Sequence, residues 1–175
     1  RIFLKQCRGL AAGGFDVSLV VADGLGNARE DGVSIIDVGR TPGRLNRMVR
    51  ASRGVCKAAA KLNADIYHLH DPELLPFGLL LKRRGKTVVY DAHEDVPKQL
   101  LAKPYLGPRR LRVLAVVYAV FERYTTRRLD GIIAATPSIG EKFRALNERT
   151  AVVNNYPLVD ELHSDGSWER KTETV

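Results

Sequence analysis

Val88-Val89-Tyr90-Asp91-Ala92-His93-Glu94-Asp95 is the stretch that decides how this chain is read. An apolar, β-branched run stops abruptly in ionisable groups, and Pro97 follows. A second stretch upstream has the same form, Asp65-Ile66-Tyr67-His68-Leu69-His70-Asp71-Pro72. Between them lies a short apolar segment, Leu74 to Leu81, closed by Lys82-Arg83-Arg84-Gly85. The pattern is strand, helix, strand. The crossover makes the two strands parallel, so their polar ends leave the sheet on one edge. His70, Asp71, His93 and Glu94 are therefore expected along one crevice, at the carboxyl edge where open α/β sheets take ligands.

The same alternation extends in both directions. Upstream, residues 2–12 carry apolar side chains at roughly helical spacing and stop at Gly13-Gly14, a good helix end. Asp16 to Asp23 and Val33 to Gly39 read as strands, with Gly24-Leu25-Gly26-Asn27 as a loop between them. A helix is expected from Pro42 to Asn63, with Leu45, Met48, Val49, Ser52, Val55, Cys56, Ala59 and Leu62 on its core face. Arg44, Arg47, Arg50, Arg53, Lys57 and Lys61 form a stripe on another face. That stripe is either a solvated surface or a contact for an anionic membrane. Downstream, Pro97 to Pro108 reads as a loop rich in Pro and basic residues, and a second long helix runs to about Leu129. Its middle, Val113 to Phe121, is apolar nearly all round, the mark of a helix that is buried, or half-buried against a partner or an interface. Gly131 to Thr136 is a further strand. Pro137-Ser138 opens a short helix to about Leu146, with Ser138 a candidate cap. Thr150 to Pro157 is a last strand and exit loop. Short apolar strands alternating with helices give a doubly wound, mostly parallel α/β sheet with helices on both faces.

With 175 residues the chain holds one full domain, and 45% hydrophobic with 27% charged residues is a globular composition. The formal charge of +8 calls for an anionic partner: nucleotide, phosphate, nucleic acid or an acidic membrane surface. Cys7 and Cys56 make no disulfide framework, which fits a reducing cytoplasm. No signal peptide is visible, and the longest apolar run falls well short of the ~20 residues that span a bilayer. The polar stretch after Leu162 reads as a linker or tail.

His70 and His93 are the candidates for acid, base or oriented donor, because each is followed by an acid where the chain leaves the sheet. His68 lies before the strand end and reads as a satisfied core group. The His and acid spacing matches no zinc motif, so no metal is expected. No P-loop, no G-x-G-x-x-G after a strand and no G-x-S-x-G elbow is present.

In their order and spacing these stretches resemble a known family. Arg1-Ile2-Phe3-Leu4-Lys5-Gln6, with Leu10-Ala11 and Gly14-Phe15-Asp16-Val17, resembles the first helix and second strand of GT-B glycosyltransferases of the group 1 type, the retaining family numbered four. His68-Leu69-His70-Asp71-Pro72 and Tyr90-Asp91-Ala92-His93-Glu94 resemble two strand-end motifs of their N-terminal domain. Thr136-Pro137-Ser138 and Val153-Asn154-Asn155-Tyr156-Pro157 resemble its last two strands. The resemblance implies a Rossmann-like N-terminal, acceptor-side domain over residues 1–158, with 159–175 leading towards a C-terminal domain that holds the nucleotide-sugar donor. It implies transfer with retention, no permanently bound cofactor and no obligatory metal. His93 would lie near the transferred sugar, and Glu94 would orient the loop or the acceptor. His70, Asp71 and Ser138 would line the acceptor side. The partners implied are a nucleotide sugar, a glycan or lipid-linked acceptor, and an anionic surface on the inner membrane face for Arg44, Arg47, Arg50, Arg53 and Lys57. A cytoplasmic or peripheral location follows. The family's first strand and its glycine-rich loop do not precede Arg1 here, and no C-terminal domain follows, so the chain by itself is expected to be inactive.

Three other readings use the same residues. A sugar-nucleotide epimerase of the same architecture would turn the His and acids to elimination. A non-catalytic module would bind anionic lipid or nucleic acid through its basic face, although few aromatic residues interleave with the charges, so nucleic acid is not the expected partner. A plain dinucleotide-cofactor domain lacks its glycine fingerprint.

Overall fold

A computed structural model describes residues 2–40, 50–101 and 107–154. Arg44, Arg47, most of the first half of the expected Pro42–Asn63 helix, and the expected tail 159–175 lie outside the described residues.

The chain opens with a π-helical turn, Ile2–Cys7, that runs into α1 (Arg8–Ala12) and stops at the Gly13-Gly14 pair. Strands β1 (Val17–Val21) and β3 (Val33–Asp37) pair in parallel, with Val17 opposite Val33 and Val21 opposite Asp37. Between them, β2 (Ala28–Glu30) folds back antiparallel on β3. Its turn is Asp31-Gly32, with φ of 49° and 79°. Left-handed conformations at both turn residues match the twist of a two-residue hairpin, and Asp-Gly supplies them at little cost. The sequence reading passed over this hairpin because Ala28, Arg29 and Glu30 are all exposed and show no apolar alternation.

Helix α2 (Ser52–Leu62) ends at Asn63 in the left-handed conformation. It packs on β1 and also on the turn after β4, so it bridges the two halves of the molecule. The second sheet has the order β4 (Ile66–Leu69), β5 (Thr87–Ala92), β6 (Gly131–Ala134), β7 (Thr150–Val152), and every pair is parallel. A 3-10 turn, Pro72–Leu74, and α3 (Leu75–Arg83) make the crossover from β4 to β5. Tyr67, Leu69, Val88 and Tyr90 point to one face and pack with Leu75, Leu81, Ile139 and Phe143. Each large side chain buried there contributes roughly 2–3 kcal/mol. Two glycines set how closely helices approach this sheet. A Cβ on Gly78 of α3 would come within 2.8 Å of Leu69 Cδ1, and one on Gly140 would overlap a methyl of Val152. Among the described residues β1 and β4 each keep one edge without a strand partner. The architecture is α/β and Rossmann-like.

Two expectations are corrected and one is narrowed. Residues from Pro97 onward do not form a loop throughout: Val96–Leu101 is a helix, α4. Proline is tolerated in a first turn because the N–H it lacks has no intrahelical acceptor there. The long helix α5 (Pro108–Thr126) is half-buried, the second of the two states expected for it. Leu111, Ala115, Glu122, Thr125 and Thr126 face the protein, while Val113, Val116, Val117 and Val120 face outward. Finally, α6 (Pro137–Arg144) is capped by Thr136, whose Oγ1 accepts from the Ile139 N–H at 3.3 Å, and Ser138 is not its cap.

Candidate functional site

The alternation of β5 sends Tyr90 into the core and Asp91 to the other face. Leu69 pairs with Tyr90, so the next residues in register, His70 and Asp91, stand side by side on that face. His68 and His93 lie two residues before His70 and two after Asp91, which puts them on the same face. All four side chains meet. Asp91 is fully buried. Its Oδ2 lies 3.3 Å from His70 Nδ1, 3.3 Å from His93 Nε2 and 4.0 Å from His68 Nε2. The same oxygen accepts a hydrogen bond of 2.7 Å from the Gln6 amide, 85 residues away in sequence. The imidazoles of His70 and His93 are parallel within 4°, with centroids 6.1 Å apart, and His68 lies 4.4 Å from His70.

The electrostatics follow from burial. Removal from water pushes the Asp91 carboxyl up, but His70, Gln6 and the nearby His93 outweigh it and hold the group below the ordinary carboxylate value. His68 is pushed down to about 4, first by burial and then by the charge of His70. It is therefore neutral at pH 7. His68, His70 and Asp91 offer ligand atoms that all lie within 4.8 Å of one another, so these are described residues that could hold a divalent ion. The His70 to Asp91 separation of 3.3 Å is near the ~3.3 Å edge of a tetrahedral zinc site, while His68 stands off at 4.0 Å. The Gln6 amide, however, already sits on the oxygen that the imidazoles face.

Beside the cluster is an open hollow of about 560 Å³, lined by Ile2, Phe3, Leu19, Val21, Asp23 and His93 among others. Its walls are mainly apolar, and His93 provides an ionisable group. Opposite Val21 on the neighbouring strand, Asp37 organises the glycine loop: its carboxylate accepts from the N–H groups of Gly24, Gly26 and Gly39 at 2.9–3.2 Å. Those bonds hold the Asp37 carboxyl below its usual range.

The structure brings together His70 and His93 but leaves the other expected site residues at the surface. Asp71, Glu94 and Ser138 are exposed, Asp71 before the 3-10 turn, Glu94 just past β5 and Ser138 in the first turn of α6. The β6 end adjoins the β5 end through the Ala135 N–H to Ala92 carbonyl bond of 3.0 Å, so the Ser138 turn starts beside the His93 loop. That loop is anchored. Lys142 of α6 reaches Asp95 at 3.0 Å and the buried Glu122 of α5 at 2.6 Å. Of the basic stripe, Arg50, Arg53 and Lys57 are described and all three are exposed.

Sequence reasoning missed His68, Asp91 and Gln6. The signal for His68 and Asp91 was present, because His68, His70, Asp91 and His93 repeat at period two on neighbouring strands. Gln6 carried no local signal at all.

Comparison with known proteins gives the chain its place. The model of the family described as "Glycosyl transferase 4-like domain" matches residues 1–156. A search of curated proteins gives no match. Among solved structures, sucrose-phosphate synthase from Thermosynechococcus elongatus superposes with a TM-score of 0.61 at 16% identity, covering 91% of this chain. The chain spans 45% of that protein's length. At this identity the likeness speaks for the fold, which is that of a GT-B glycosyltransferase. Since the family match takes in nearly the whole sequence, the chain belongs to the glycosyl transferase 4-like domain family, as the N-terminal domain of a group 1 glycosyltransferase.

Proposed function

We propose that this domain presents the acceptor in a retaining, nucleotide-sugar-dependent glycosyltransferase that builds a polysaccharide or a lipid-linked glycan. The observation that carries the reading is the convergence of His68, His70 and His93 on the fully buried Asp91, at the carboxyl edge of the parallel sheet. That is the edge where α/β sheets bind ligands.

In this reading Asp91 is the positioning residue. With the Asp91 Oδ2 3.3 Å from its Nε2, the His93 ring is held in one orientation. His93 then meets the transferred sugar as the anomeric bond breaks. Fixing a ring before substrate arrives lowers the reorganisation needed at the moment of reaction. Glu94, exposed beside it, orients the acceptor, and His70, Asp71 and Ser138 line the acceptor path. The nucleotide sugar is a co-substrate held mainly by the enzyme's second domain, and the chemistry uses no resident cofactor or metal. The exposed Arg50, Arg53 and Lys57, with Arg44 and Arg47, would face an anionic membrane on the cytoplasmic side.

The test is His93→Ala in the full-length enzyme, followed by transfer of labelled sugar. We expect turnover to fall by about 10²–10⁴-fold with the thermal midpoint nearly unchanged, since His93 lies outside the hydrophobic core. Wild-type turnover in the variant removes His93 from the chemistry. Product analysis separates the epimerase reading: an inverted sugar nucleotide in place of a new glycoside would favour it.

A further inference from the structure

The outer face of α5 is apolar and open to solvent. Val113, Val116, Val117, Val120 and Tyr124 are 64%, 58%, 60%, 64% and 47% exposed. At 3.6 residues per turn these five fall within an arc of about 100°. A ridge of this kind is uncommon on a surface that meets only water.

Its surroundings are cationic. Arg109, Arg110 and Arg112 are exposed on the first turns of the helix, and Arg123, Arg127 and Arg128 at and just past its end. Arg128 stacks on Tyr124 with its guanidinium carbon 3.6 Å from the ring centre. The helix contains one acid, Glu122, which is buried and paired with Lys142 at 2.6 Å. No negative charge on the helix therefore offsets the arginines. A second copy of the chain fits this face poorly: antiparallel pairing would set one arginine cluster against the other at both ends.

We infer that the outer face of α5 docks on an anionic lipid surface, with the valine ridge inserted among the acyl chains near the headgroups and the arginines on lipid phosphates. Apolar area and charge then act together, as in other helices that lie in an interface. No helix among the described residues is long and apolar enough to cross a membrane, so this contact is with the surface. The helix is joined to the candidate site: Lys142 ties Glu122 of α5 to Asp95, two residues past His93. A docked α5 holds the His93 loop close to the lipid, where a lipid-borne acceptor would arrive.

The inference takes up the lipid-linked acceptor of the proposed function, but its test reads binding without transfer, so either can fail alone. The full chain is pelleted with vesicles of phosphatidylcholine alone and of phosphatidylcholine with phosphatidylglycerol. Wild type is expected to pellet with the anionic vesicles only. Val117→Asp with Val120→Asp should weaken that partition about tenfold or more while the thermal midpoint stays put, because both side chains are exposed. Failure of wild type to pellet overturns the inference. So does a double variant that pellets like wild type, which would assign binding to charge alone, as on the Arg50, Arg53 and Lys57 stripe. A dimer in sedimentation that the double variant dissolves also overturns it, since the ridge would then be an interface between copies.

Discussion

A buried carboxylate must find partners inside the protein, and Asp91 finds them on three separate segments: Gln6, the β4 histidines, and His93 beyond its own strand. The consequence is a pH dependence with a definite sign. His68 titrates near 4 in the fold against an ordinary 6.5. Above pH 6.5 it is neutral whether folded or unfolded, and its contribution to stability is complete. Between 6.5 and 4 the unfolded chain takes up a proton that the folded protein refuses, so stability falls as the pH drops. At 1.36 kcal/mol per unit the loss is at most about 3 kcal/mol. Asp91, also held low, adds to the loss at the acid end. His68→Asn removes the titration, and its thermal midpoint should decline less than that of wild type between pH 6.5 and 4. Parallel declines would show that His68 is protonated as readily in the fold as outside it. His70 and His93 could be picked out in the sequence because each precedes an acid where a strand ends. Asp91 read only as a neighbour of His93, and Gln6 not at all, since no spacing rule reaches across 85 residues.

At the scale of elements, apolar periodicity located β4, β5 and β6 to within a residue or two, because each is short and carries buried side chains. It failed where burial is partial. The β2 strand is wholly exposed, and α4 begins at a proline-containing polar stretch whose first turn resembles a loop in composition. It left α5 open between buried and half-buried, because a run of valines looks the same whether its outer half meets protein or open space. Gly140 carries a strong constraint that apolar periodicity does not reveal. A side chain there would overlap Val152, which is β-branched and has few rotamers to move into. Gly140→Ala should therefore destabilise the domain by about 1–3 kcal/mol through overpacking. Adding Val152→Ala should restore part of the loss, which chemical denaturation of both variants would show. A cost that Val152→Ala leaves unchanged would place the strain in the helix backbone instead.

At the scale of the whole molecule, the chain is a domain of a GT-B glycosyltransferase, and it matches 45% of its structural neighbour's length. Its candidate site has imidazoles and carboxylates but sits beside a hollow with mainly apolar walls. A diphosphate needs a different lining: backbone N–H groups at a helix start, or arginine and lysine held in place. Around the cluster, Lys142 is committed to Asp95 and Glu122. The glycine loop near the hollow directs the N–H groups of Gly24 and Gly26 at Asp37, so a phosphate would have to displace a carboxylate to use them. Among the described residues, the imidazoles and carboxylates of the cluster suit sugar hydroxyls better than they suit a pyrophosphate. Calorimetry with a panel of nucleotide sugars is then expected to give binding by the full-length enzyme and none by this chain alone. If this chain binds a nucleotide sugar as tightly as the full-length enzyme, the donor lies on this side of the cleft, and the roles given to His93 and to the acceptor path must be exchanged.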